Sequence, residues 1–148
     1  MKNMSIFKKN VSEGEYVLTK KASEHGIAPD IISYDNGSLK LEKYPMTLLD
    51  YIDNGGELTK NIKNNIYSKV RELHKLGIYH GDLHSNNIVI EPETEEIKII
   101  DFERSMLFED MYEDREEIIK KINSFLEIEF NTVEEIIDFD FYMYERDF

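Results

Sequence analysis

An α+β fold in a single domain is what the sequence predicts, and three patterns carry that prediction. A helical stripe of Ile62, Ile66, Val70, Leu73 and Leu76 runs through the middle of the chain. A turn at Asp35-Asn36-Gly37 joins two short apolar segments. A second pair of strand-length apolar runs, Ile88–Ile90 and Ile97–Ile100, lies between helical patterns. Helices mixed with short strand pairs, and no internal repeat, suit a mixed fold.

Taken in order, Ser5–Phe7 reads as a short strand leading into Lys8 and Lys9. Glu13 to His25 is helical, with Leu18, Ala22 and His25 on one face and Gly26 as the stop. Ile27-Ala28-Pro29 breaks that helix, and Ile31–Tyr34 is a strand. Asn36-Gly37 accepts the positive φ angles of a tight hairpin, so Ser38–Glu42 returns, with Leu39 and Leu41 on one face. Pro45 ends it. Thr47–Ile52 is a short helix closed by Asn54-Gly55-Gly56, and Thr59 caps the long helix that Gly77 ends. Ile78–Asn87 is expected to be a loop, and Glu91–Glu96 a solvated turn between strands. A helix is expected over Glu113–Leu126, and a capping box, Thr132 with Glu135, starts the last one. The aromatic cluster at Phe139–Tyr144 suits core or a partner surface.

Composition narrows the function classes. The 148 residues include 31 acidic and 18 basic side chains, for a net charge of −13. Such a surface repels phosphate backbones and anionic lipid, which excludes nucleic-acid or membrane binding through a general basic patch. It favours solubility and admits a basic protein partner. With no cysteine, neither disulfides nor thiolate metal sites contribute, which suits a reducing cytoplasm. No apolar run reaches bilayer length, and Met1–Asn10 lacks the apolar segment of a signal peptide, so a soluble intracellular protein is expected.

Two stretches carry chemistry: His80-Gly81-Asp82-Leu83-His84-Ser85-Asn86-Asn87 and Asp101-Phe102-Glu103. From residue types alone, His80, Asp82 and His84 could form an alternating metal triad of a hydrolase. Gly81 and Ser85-Asn86-Asn87 favour a loop instead, and such a triad leaves Asp101 without a role. In order, internal spacing and flanking strands, the two stretches resemble the catalytic loop and metal-binding motif of the protein kinase superfamily. His-Gly-Asp-Leu-His and Asp-Phe-Glu look like its atypical branches. Those include the RIO kinases, the small kinase of tRNA modification, the aminoglycoside and choline phosphotransferases, and lipopolysaccharide kinases.

The resemblance implies a minimal kinase-like fold. Residues 1–44 would form a reduced N-lobe and hinge, a helix plus a short antiparallel sheet, and residues 45–148 a mostly helical C-lobe. It implies Mg²⁺ and ATP as cofactors and a protein or small-molecule hydroxyl as acceptor. Asp82 would be the catalytic base, with Asn87 and Asp101 as Mg²⁺ ligands. His80 would pack under Phe102 and brace the loop. Glu15, with Glu13 as rival, would pair with an ATP-anchoring lysine, Lys8 or Lys9; solvated positions for these groups remain open. Backbone groups at Glu42 and Tyr44 would bond adenine. His84 stands where protein kinases place a lysine, and Asp114 is a candidate brace for the loop. Gly81 replaces the arginine that answers an activation-loop phosphate, so control by that phosphate is not expected. Two departures oppose an active enzyme: only fourteen residues precede Glu15, and no Gly-rich phosphate loop precedes Gly14. A pseudokinase, or an interaction or regulatory module that keeps the fold, is therefore the alternative.

Overall fold

The computed structural model describes residues 6–148, with side chains from Lys9 onward. Part of the expected Ser5–Phe7 strand lies outside the described residues; the described strand, β1, is Ile6–Asn10. It is followed by α1 (Glu13–Glu24), β2 (Ile31–Asp35) and β3 (Ser38–Glu42). The three strands form an antiparallel sheet in the order β1-β3-β2. Asn36 and Gly37 take φ of 50° and 79°, the left-handed pair that a two-residue hairpin demands. Leu39 and Leu41 are buried on one face of β3. Lys9 sits opposite Leu39 in the register, and opposed residues share a face of the sheet. The pleat thus sends the Lys9 side chain inward.

Ser12 caps α1 by accepting a hydrogen bond from the Glu15 amide at 3.1 Å. The buried face of this helix is Glu15, Thr19 and Ala22. His25, expected on that face, is exposed at the C-cap. The apolar spacing misleads because α1 buries two polar side chains, Glu15 against Lys9 and Thr19 against the Glu15 carbonyl. Its end is held by cations: the Gly26 carbonyl accepts from Lys98 Nζ at 2.6 Å and Lys69 Nζ at 3.0 Å.

Beyond the hairpin come β4 (Met46–Thr47), α2 (Leu48–Asp53), α3 (Lys60–Lys75) and β5 (Ile78–Tyr79). Thr47 is the cap of α2 rather than its first residue, and Thr59 caps α3. Within the expected loop, Ser85–Asn87 forms one 3₁₀ turn. Strands β6 (Ile88–Glu91) and β7 (Glu96–Ile99) join β4 in the order β4-β6-β7. Strand β8 (Met106–Leu107) pairs with β5. The helix expected from Glu113 is two helices, α4 (Phe108–Glu113) and α5 (Arg115–Leu126), broken at Asp114, which sits at φ −131° and ψ 54°. Thr132 caps α6 (Val133–Phe139), and a 3₁₀ turn over Met143–Asp147 follows.

The α3 stripe packs against β6, β7 and the end of α1, so Ile62, Ile66, Val70, Leu73, Ile88 and Ile97 share one core. A smaller core gathers Tyr79, Met111 and Ile122 with Val133 and Ile136 of α6. The acidic β6–β7 turn is more than solvated surface. Glu95 accepts from Asn61 Nδ2 at 2.7 Å and Thr59 Oγ1 at 3.2 Å, and Glu96 accepts from the Tyr44 hydroxyl at 2.8 Å. Of the aromatic cluster, Tyr144 is core, Phe139 and Phe141 pack against it, and Tyr142 is exposed. Among the described residues, no helix is long and apolar enough to cross a membrane.

Candidate active site

The loop after β5 is fastened from three sides. His80 is fully buried, and its Nδ1 accepts from the Asp82 amide at 3.1 Å. The proton must then sit on Nε2, which donates to the Ile100 carbonyl at 2.9 Å. Burial lowers the His80 pKa, outweighing the nearby Asp140 charge, so the ring is neutral. Its face meets Phe102 edge-on at 5.0 Å. With both nitrogens engaged, His80 has none for a metal, which removes the hydrolase triad. Among the described residues no group of three His, Cys, Asp or Glu side chains could hold a metal ion.

Asp140, at the end of α6, provides the second fastening. Its buried carboxylate accepts from the amides of His80 at 2.8 Å and Gly81 at 3.0 Å, and contacts His74 Nε2 at 2.9 Å. The brace is therefore Asp140 and not Asp114, which is exposed and makes no capping bond. The sequence held one signal for it, a lone acid inside an aromatic run. Asp147 is the third: its Oδ2 accepts from both the amide and the hydroxyl of Ser85 at 2.7 Å. Burial would raise Asp147, but those two bonds hold its pKa below the usual range. His84 lies between Asp82 Oδ1 at 3.4 Å and Asp147 Oδ1 at 3.5 Å, so its ring is held among carboxylates.

Gly81 lets the loop turn. It sits at φ +87°, and a β-carbon there would lie 2.8 Å from the Arg104 carbonyl and 2.9 Å from Tyr79 Cε2. Gly81→Ala is expected to cost about 2–3 kcal/mol by denaturant melts, combining left-handed strain with overpacking. Gly77, at φ +78° with nothing within 4 Å, isolates the first effect, so Gly77→Ala should cost only about 1 kcal/mol. Equal losses for the two variants would show that the close approach at Gly81 has no energetic weight.

The loop and the strand pair bring the polar groups together. Asn87 Nδ2 donates to the Asp82 carbonyl at 2.7 Å and to Asp82 Oδ2 at 3.3 Å. The Ile100 amide donates to the Asn87 carbonyl at 3.0 Å, which sets Asp101 beside Asn87. Asp101 holds φ +63°, a strained conformation for a non-glycine residue. From the other lobe, Lys9 Nζ reaches Asp101 Oδ1 at 2.6 Å and Glu15 Oε2 at 2.9 Å. Glu13 is exposed on the first turn of α1. The Lys8 side chain lies outside the described residues.

Charge states follow from these contacts. Burial opposes charge on Lys9, but bonds to Asp101 and Glu15 outweigh it and raise its pKa. Burial also pushes Asp101 up, yet Lys9 more than reverses this, so Asp101 stays ionised below the usual range. Glu15 is raised by burial, which Lys9 offsets only in part and to which the Asp101 and Glu103 charges add. Asp82 is raised by burial, with partial relief from His84. A carboxylate held more basic than usual suits proton acceptance.

Beside these groups a cleft of about 350 Å³ is lined by Leu41, Glu42, Tyr44, Val89 and Ile100, an apolar slot edged by the β3–β4 connection. The Glu42 amide is taken by the Asp30 carbonyl at 2.9 Å.

The protein kinase domain model matches residues 16–126, well over half of the chain. The chain therefore belongs to the protein kinase family. Lys9, Glu15 and Asp140 lie outside the matched span; the first two were candidates in the sequence, and Asp140 was located by geometry alone. A comparison with curated proteins finds no match. Among solved structures, the chain is similar to the Cydia pomonella granulovirus kinase PK-1, with a TM-score of 0.53 and 18% identity. The likeness covers 69% of this chain and 42% of the viral one, so the chain spans about two fifths of that kinase's length. At that identity it is a likeness of fold.

Proposed function

We propose that this chain is a Mg²⁺–ATP-dependent phosphotransferase, with residues 1–44 as a reduced nucleotide lobe and 45–148 as the catalytic lobe. The observation that carries the reading is Lys9, whose ammonium joins Glu15 of one lobe to Asp101 of the other at 2.9 and 2.6 Å. A cation so placed is set for nucleotide phosphates, and a solvated basic patch would not reach across the cleft. The apolar slot suits adenine, and because the Glu42 amide is already bonded, donation to the ring falls to the Tyr44 amide, with the Glu42 carbonyl as acceptor for the adenine amino group.

The donor set fits a hard cation. Asn87 spends its amide nitrogen on Asp82, which leaves the side-chain oxygen as a ligand, and Asp101 keeps one carboxylate oxygen beyond its contact with Lys9. Bound there, Mg²⁺ would neutralise charge on the transferring phosphoryl group. Asp82 orients the acceptor hydroxyl and takes its proton as the new O–P bond forms. The bond between the terminal phosphorus and its bridging oxygen breaks, and the electron pair leaves with the nucleoside diphosphate. His80 and Asp140 act at one remove, by holding the Asp82 backbone still.

Calorimetry of ATP binding with and without Mg²⁺, on wild type and Asp101→Ala, tests this reading. Metal-dependent binding that falls at least tenfold in the variant is expected. A folded wild-type chain that binds no nucleotide would instead establish the interaction-module alternative.

A further inference from the structure

A second cleft, of about 300 Å³, opens on the other side of the catalytic loop. Gly81, the residue before Asp82, forms part of its wall, so a molecule seated there lies against the loop that carries Asp82. Tyr79 is only 2% exposed, and its phenol end reaches Gly81: a β-carbon at Gly81 would lie 3.4 Å from Tyr79 Cζ. The Tyr79 hydroxyl makes no hydrogen bond among the described residues and, unlike the Ser38 hydroxyl, is not sealed from solvent. It lines the cleft instead.

The rest of the wall has a definite chemistry. Met106, Ile122 and Phe125 supply apolar surface, and Arg104 and Lys121 supply two cations. Neither cation pairs with a carboxylate among the described residues, in a chain that carries 31 acidic side chains. The Arg104 guanidinium lies 3.6 Å from the centre of the Phe125 ring, which fixes its place without neutralising its charge. Glu103, exposed at the rim, is the one carboxylate in the lining against these two cations, while the Asp82 and Asp140 charges act on the Tyr79 end. On a protein with a net charge of −13, a cleft lined by two cations selects by sign. The Arg104 charge also reaches Asp82.

We propose that this cleft is the acceptor subsite, and that the acceptor is a small alcohol carrying a carboxylate or phosphate on an apolar body. The cleft volume suits a small molecule. Ring or alkyl carbons lie along Ile122 and Phe125, the anionic group sits between Arg104 and Lys121, and the Tyr79 hydroxyl donates to it. The hydroxyl to be phosphorylated then points past Gly81 toward Asp82. The inference rests on the phosphotransferase reading and narrows its acceptor from hydroxyl compounds in general to anionic ones.

The test is binding of phenyl phosphate, phenylacetate, benzyl alcohol and benzylamine to the full chain, followed by NMR shift titration. It is run on wild type, Arg104→Gln and Lys121→Gln, with Lys9→Met to exclude binding in the nucleotide cleft. At least one anionic probe should bind at least tenfold tighter than benzyl alcohol, and benzylamine most weakly. Arg104→Gln should weaken the anions at least fivefold and leave benzyl alcohol unchanged, while Lys9→Met leaves all four unchanged. The preferred anion identifies a phosphate or a carboxylate acceptor. Equal binding of the neutral probe, preference for the ammonium, or anion affinity untouched in both groove variants would overturn the subsite. Overturning it while Mg²⁺-dependent ATP binding persists leaves the phosphotransferase reading standing. Anion selectivity without any ATP binding would sink that reading and with it the acceptor role.

Discussion

Asp140→Ala should lower the stability of this protein by about 3–5 kcal/mol, the largest loss expected from any single polar substitution in it. The carboxylate is completely buried and accepts from two loop amides, at 2.8 and 3.0 Å, besides contacting His74. Its removal strands the two loop amides in a buried site, where each unpaired donor costs about 1–3 kcal/mol, and takes the partner from the partly exposed His74 ring. The melting temperature should fall by on the order of 10 °C. Asp140→Asn should lose less, because one amide oxygen still accepts, although its NH₂ faces the second backbone donor. Binding of Mg²⁺–ATP at a temperature where the variant is folded should survive, since Asp140 touches neither Lys9 nor Asp101. A loss below about 1 kcal/mol for the alanine variant would mean that water or a shifted loop replaces these bonds.

Asp82→Asn should slow phosphoryl transfer by roughly 10²- to 10⁴-fold, the range for loss of a positioned general base. The substitution is nearly isosteric and keeps the contact with Asn87, so stability and nucleotide affinity should hold within about twofold. What disappears is the acceptor for the hydroxyl proton. Burial holds the Asp82 carboxyl above its ordinary pKa. Transfer by wild type should therefore fall off with decreasing pH sooner than an ordinary aspartate would require. Asp82→Asn should remove that limb of the profile. Transfer within twofold of wild type in the variant would strip Asp82 of this role.

The loop of the candidate site shows how much was legible beforehand and why. That Asp82, Asn87 and Asp101 would come together was readable because the loop and strand pair that carry them are local structure. The α3 stripe, the Asn36-Gly37 turn and the caps at Thr59 and Thr132 were readable for the same reason: period and backbone preference act within a few residues. Elements failed where local pattern had little to offer. The break at Asp114 carries no proline or glycine, and the two-residue strands β4, β5 and β8 are too short to show alternation.

Long-range partners were decided by tertiary structure. Lys9 and Lys8 are equivalent as sequence, and only the register of β1 against β3 sets Lys9 opposite buried Leu39 and so turns it toward Glu15 and Asp101. Asp140 lies 59 residues from Gly81, and nothing near it in sequence says that its carboxylate will meet that amide. The same holds for Asp147 with Ser85, and for Arg104 and Lys121 at the second cleft. Sequence by itself determined the fold class and the chemical groups of the loop, because both follow from short-range geometry. Which distant charges those groups meet depended on how helices and strands pack, and packing is a property of the folded whole.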